Sequence, residues 1–127
     1  MADVTVKKAD ELEAGFGGGF KYVRHGLGVT SFGIQLIELP PNADQYPEHD
    51  HEHDGQEEVY TALSGKATME AGGQSIDLVP GTFVRVGPAE KRKIVTAGEG
   101  CQLLAIGGKP GEAYEVSAMS RPQEQPA

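Results

Sequence analysis

The sequence predicts an all-β fold, an antiparallel sandwich or barrel. Short runs of strand composition recur between glycine and proline turns at regular spacing, which is the pattern of such folds. One stretch alone, "ADELEA" (Ala9 to Ala14), has the composition of a helical turn or two.

The elements follow in order. "KYVRHGLGVTSFGIQLIEL" reads as two strands broken near Gly26 and Gly28. Phe32 to Leu39 is apolar on both faces, which suits a barrel wall with a filled interior on one side and a second layer on the other. "EEVYTALSGKATMEAGGQSIDLVPGTFVRVGP" reads as strand, glycine turn, strand, hairpin turn at "AGGQ", strand, "PG" turn and strand. "KRKIVTAGEGCQLLAIGG" adds two strands around "AGEG". Character alternates at period two in Phe83 to Val86, and Ile76 and Leu78 flank Asp77. There is no internal repeat and no linker. One domain is expected over 1–127, with a barrel core at about 20–108 and a polar, frayed tail at 115–127. "GGKPGEAY" (Gly107 to Tyr114) is a turn before an extension that would pack across a dimer partner.

Composition narrows the partners. The 127 residues are enough for one core. With 11 basic and 19 acidic residues the net charge is −8, against both general nucleic-acid binding and an anionic membrane surface. A single cysteine, Cys101, forms no internal disulfide and favours a reducing compartment. The N-terminus lacks the apolar core of a signal peptide, and no apolar run reaches the ~18 residues of a membrane helix. A soluble, cytoplasmic protein is expected.

The most informative stretch is "PEHDHEHD", residues 47–54, where acids alternate with His49, His51 and His53. In an extended chain, residues at i, i+2 and i+4 face one way, so the three imidazoles would share a face and the acids the other. Neutral imidazoles presented together suit a first-row transition metal. The acids could orient the ring N–H groups. The plainer alternative is a solvated acidic loop. Three extended residues at this period span ~13 Å. They converge on one ion only if the chain bends, so two histidines with Glu58 is the comfortable set.

The run "HDHEHDGQEEVYTALSG" resembles the first motif of the cupins: His51-x-His53, four residues, Glu58, six residues and Gly65. His49-x-His51 is a competing alignment, at a more usual distance after "LPPN" (Leu39 to Asn42). "LVPGTFVRVGP" (Leu78 to Pro88) is similar to the start of the second cupin motif. The resemblance covers roughly Ile34 to Ile106 and implies a small double-stranded, jelly-roll-like β-barrel, commonly dimeric, with a pocket inside. It implies His49, His51, His53 and Glu58 as the pool of metal ligands.

The second motif departs from the family. Metal-binding cupins end it in a histidine; here "GPAEKRKIV" places Arg92 there, and no histidine follows His53. Arginine stays protonated and cannot ligate. Three outcomes stay open: a site using the third local histidine, a weaker three-ligand site, or loss of the metal with Arg92 binding an anion or pairing with Glu58. Arg85, Lys91, Arg92 and Lys93 would form either an anion-attracting mouth or a solvated rim.

Other residues carry less. Tyr60 shares the face of Glu58 and could line the pocket with Arg92 as a substrate contact. Glu57 should face solvent. His25 reads as a strand-end polar residue and Cys101 as core. Gly15 to Phe20 lacks the lysine and helix of a phosphate loop.

Two functions from different classes follow, with a structural β-barrel whose interior site is vestigial as a third. One is a metal-dependent oxygenase, isomerase or decarboxylase using iron, manganese, nickel or zinc on a small molecule. The other is a non-catalytic, metal-free module that binds a small anion through Arg92. The catalytic residues and the ligand are not named by the chain.

Overall fold

The computed structural model describes residues 2–117 and 120–122. A 3-10 turn at Ala9–Glu11 precedes β1 (Ala14–Gly15), a second 3-10 turn (Phe16–Gly18), β2 (Phe20–Lys21) and helix α1 (Val23–Leu27). The long strands then follow: β3 (Gly33–Leu39), β4 (Glu57–Gly65), β5 (Ala67–Ala71), β6 (Gln74–Leu78), β7 (Phe83–Val86), β8 (Arg92–Val95) and β9 (Cys101–Gly108). They form two antiparallel sheets, β1-β2-β3-β9-β4-β7 and β6-β5-β8. This is the double-sheeted β-barrel the sequence predicts.

Alternation places the core. Tyr60 and Ala62 of β4, Met69 of β5, Leu78 of β6, Val86 of β7, Ile94 of β8 and Leu103 of β9 join in one buried cluster between the sheets. Each strand turns its polar or half-exposed neighbours outward. Complete burial of side chains such as Met69, Ile94 and Leu103 contributes about 1.5–3 kcal/mol each. Cys101 lies in this core as expected, and burial pushes its thiol up, with Glu99 adding to the effect.

Turn chemistry fixes the register. Gly72 and Gly73 both have positive φ (56° and 73°), as a two-residue type I′ hairpin between β5 and β6 demands. Gly65 closes β4 at φ 74°, and a Cβ there would collide with the Gly100 carbonyl oxygen. The motif glycine is therefore a close approach between two turns.

Two expectations fail. The segment before β3 is a helix at Val23–Leu27, not a strand. It ends on Gly28 in the left-handed conformation, whose N–H returns to the Arg24 and His25 carbonyls. Gln35 of β3 holds it by accepting from the Val23 N–H at 3.1 Å. His25 thus sits on this helix, 3.8 Å from Glu13 in an exposed pair. The tail is also not wholly frayed. Residues 118–119 and 123–127 lie outside the described residues, but Ser120 is buried. Its carbonyl accepts from Arg24 Nε (3.2 Å) and Gln35 Nε2 (3.4 Å). The layer outside β3 is therefore α1 with this segment, on the same chain. No helix among the described residues is long and apolar enough to cross a membrane.

Candidate metal centre

Period two on β4 turns Glu58 and Tyr60 to the interior and Glu57 outward. Glu57 is bound outside by Arg85 at 2.7 Å. Opposite Glu58, the chain before β4 runs antiparallel to β8 for one step. His49 and Arg92 exchange both backbone hydrogen bonds, at 3.1 and 2.9 Å. His51 N–H then reaches the Pro88 carbonyl at 2.8 Å. These bonds carry His49 and His51 over Glu58.

Ligand-type atoms of His49, His51 and Glu58 all lie within 4.8 Å of one another. Glu58 Oε1 is 3.0 Å from His51 Nε2 and 3.9 Å from His49 Nε2. Donors on one first-row ion, at about 2.1 Å each, stand about 3–4 Å apart. The other ring nitrogens are tied off. His49 Nδ1 donates to the Pro47 carbonyl at 3.0 Å, and His51 Nδ1 to Asp54 Oδ1 at 3.0 Å. A proton held on Nδ1 leaves the Nε2 lone pair free for a metal. His51 Nε2 is buried and meets Glu58 without the alignment of a hydrogen bond. That orphaned nitrogen and the two-imidazole, one-carboxylate donor set fit a divalent transition metal.

Electrostatics follow from the burial. Burial alone would push the Glu58 carboxyl up, but His49, His51 and Tyr60 outweigh it and hold it well below the usual range. For His51, burial opposes the charged ring, yet Glu58 and Asp54 together raise its pKa above the ordinary 6.5. The Tyr46 and Tyr60 phenols are pushed well up, by burial first and then by neighbouring groups that include Glu58.

His53 stands apart from this group. Its side chain is 76% exposed, and its Nε2 faces Asp54 Oδ2 at 3.6 Å. The extended run expected through His53 stops at His51, because the Asp54 and Gly55 N–H groups fold back onto the His51 carbonyl. Tyr60 is fully buried and donates to Glu58 Oε1 at 2.5 Å. Arg92 is also fully buried, with Nη2 3.9 Å from the same oxygen. The basic cluster is dispersed: Arg85 goes to Glu57, Lys91 is exposed, and Lys93 donates to the Asp44 and Tyr46 carbonyls at 2.6 and 2.7 Å.

Sequence reasoning expected the alternating acids to orient the rings without saying which; for His51 it is Asp54, swung round by the Asp54-Gly55 turn. Sequence reasoning missed Gln56, buried and donating to Asp54 Oδ2 at 3.3 Å, and Tyr46, edge-on to His49 at 5.8 Å. A groove of about 970 Å³ lies between Phe16–Phe20 and Ile37–Pro47 and approaches the histidines through Tyr46 and Pro47.

The sequence profile of the Cupin domain family matches residues 35–107. No curated protein sequence matches the chain. A cupin protein from Bacteroides fragilis is similar over 98% of this chain and 100% of its own, at 23% identity and a TM-score of 0.71. A putative sugar phosphate isomerase from Acidithiobacillus ferrooxidans is similar over 69% of this chain and 56% of its own, at 30% identity and a TM-score of 0.59. A sugar phosphate isomerase from Silicibacter pomeroyi matches 70% of this chain and 59% of its own, at 20% identity and a TM-score of 0.61.

Proposed function

Since the chain belongs to the cupin family, we propose that it binds one divalent transition metal through His49, His51 and Glu58 and acts there on a small molecule. The observation that carries this is the pair of imidazoles with Nδ1 occupied and Nε2 turned to one carboxylate. His53 is outside the set as a rim residue. Iron, manganese, nickel and zinc all accept these donors.

A metal so held would supply Lewis-acid or oxygen chemistry. The chain's own part is to fix both rings and to hold Glu58 ionised, through Tyr60 and the histidines. Similarity to a putative sugar phosphate isomerase makes isomerisation the first reaction to assay, ahead of oxygenation and decarboxylation. The metal-free alternative is favoured by Arg92, a buried cation beside Glu58. Elemental analysis of tag-free protein decides between them. A first-row metal near one per chain supports the proposal. None, after manganese, iron, nickel and zinc have each been offered, sinks it.

Val59, Phe83 and Ile106 are exposed apolar side chains on one outer face of the six-stranded sheet. This is the face proposed for a homodimer. A monomer by sedimentation at micromolar concentration would overturn that assignment.

A further inference from the structure

Arg92 is the group that metal binding leaves unused, and it is the largest fully buried side chain. Its contacts are long: Nη1 to the His49 carbonyl at 3.5 Å, Nη2 to the Gly87 carbonyl at 3.4 Å, and Nη2 to Glu58 Oε1 at 3.9 Å. Nε is buried with no partner. A guanidinium has five N–H donors, and a buried charge is tolerated only when it is well paired. Glu58 pairs it poorly: Oε1 stands 3.9 Å from Nη2 and also faces Tyr60, His49 and His51.

A metal on Glu58 sharpens the mismatch. A dication, the carboxylates of Glu58 and of Asp54 behind His51, and one guanidinium, with neutral imidazoles, leave one positive charge in excess. A planar guanidinium with free donors is matched by a carboxylate or a phosphate. Of the residues Arg92 contacts, His49 is 23% and Glu58 14% exposed.

We propose that the small molecule of this centre is an anion, carboxylate or phosphate, recognised jointly by the metal and Arg92, so that metal and anion bind with positive coupling. This rests on the metal-binding proposal above. It assigns Arg92 a specificity role: the residue weakens binding of the bare metal by repulsion and restores it when an anion is present. Coupling of this kind is reciprocal.

The test is calorimetric titration of the tag-free protein with nickel, alone and with glycolate, inorganic phosphate or the neutral glycolamide. Glycolate or phosphate should tighten nickel binding about tenfold, and glycolamide should not. Whichever anion acts identifies the class. In Arg92→Gln, bare nickel should bind more tightly than in wild type and the anion effect should vanish; Arg92→Lys should keep part of it. An equal effect of glycolate and glycolamide on wild type, or an anion effect that survives in Arg92→Gln, overturns the inference. The first comparison needs no variant, so a misfolded Arg92→Gln does not rescue it. Absence of any nickel binding to wild type instead overturns the metal proposal beneath it.

Discussion

The two halves of one alternating run meet opposite fates. His49 and His51 are 23% and 12% exposed and face Glu58; His53, two residues on, is 76% exposed. Residue type and period are the same. The backbone differs. His49 pairs with Arg92 and His51 with Pro88, whereas from Glu52 the chain turns on itself. Glu52 N–H binds Asp50 Oδ1 at 3.1 Å and Gln56 N–H binds Asp54 Oδ1 at 3.3 Å. Alternation aims side chains only as long as a neighbouring strand holds the chain extended. The turn has its own use, since it swings Asp54 under His51 to hold Nδ1.

Breaking the paired half should have the largest effect. His51→Ala removes a proposed ligand, and metal affinity should fall more than about a hundredfold in calorimetry. Breaking the turn where it serves the ring should cost less: Asp54→Ala should weaken metal binding about tenfold to a hundredfold with the fold retained by circular dichroism.

Titration sharpens the comparison further. His51 has a raised pKa in the folded protein, so its ion pair with Glu58 stabilises the metal-free fold fully below the ordinary value of 6.5. That stabilisation is lost as pH rises through the raised pKa. A metal needs the neutral ring, so its stabilisation grows over the same interval. As pH rises from 6.5 through that raised pKa, the metal-free Tm should lose this contribution while the metal-induced rise in Tm increases. Scanning calorimetry with and without zinc checks both; a metal-induced rise independent of pH would contradict the role given to His51. The smallest effect is expected for His53→Ala, whose metal affinity should stay within about twofold of wild type.

From Glu57 to Gly108 the fold was legible, because glycine and proline turns cut an alternating pattern into strands that the core then used. Motif spacing brought Glu58 and Arg92 together and strand alternation added Tyr60; Glu58 takes the Tyr60 hydroxyl and stands 3.9 Å from Arg92. Helix Val23–Leu27 was not legible. Five residues carry no period, and what holds them is Gln35 and the Gly28 cap. Ser120 gave no signal either, since its docking uses a main-chain carbonyl that any residue possesses. The choice between His49 and His53 was open for a similar reason. What sets the two apart is a bridge from His49 to Arg92, a partner 43 residues away in sequence.

Extended X-ray absorption fine structure of the zinc-loaded, tag-free protein tests the central claim most directly. Two imidazole nitrogens per zinc, with the remaining light donors oxygen, is the predicted result. Three imidazoles would return His53 to the site, and none would remove the metal from His49 and His51; either contradicts the account.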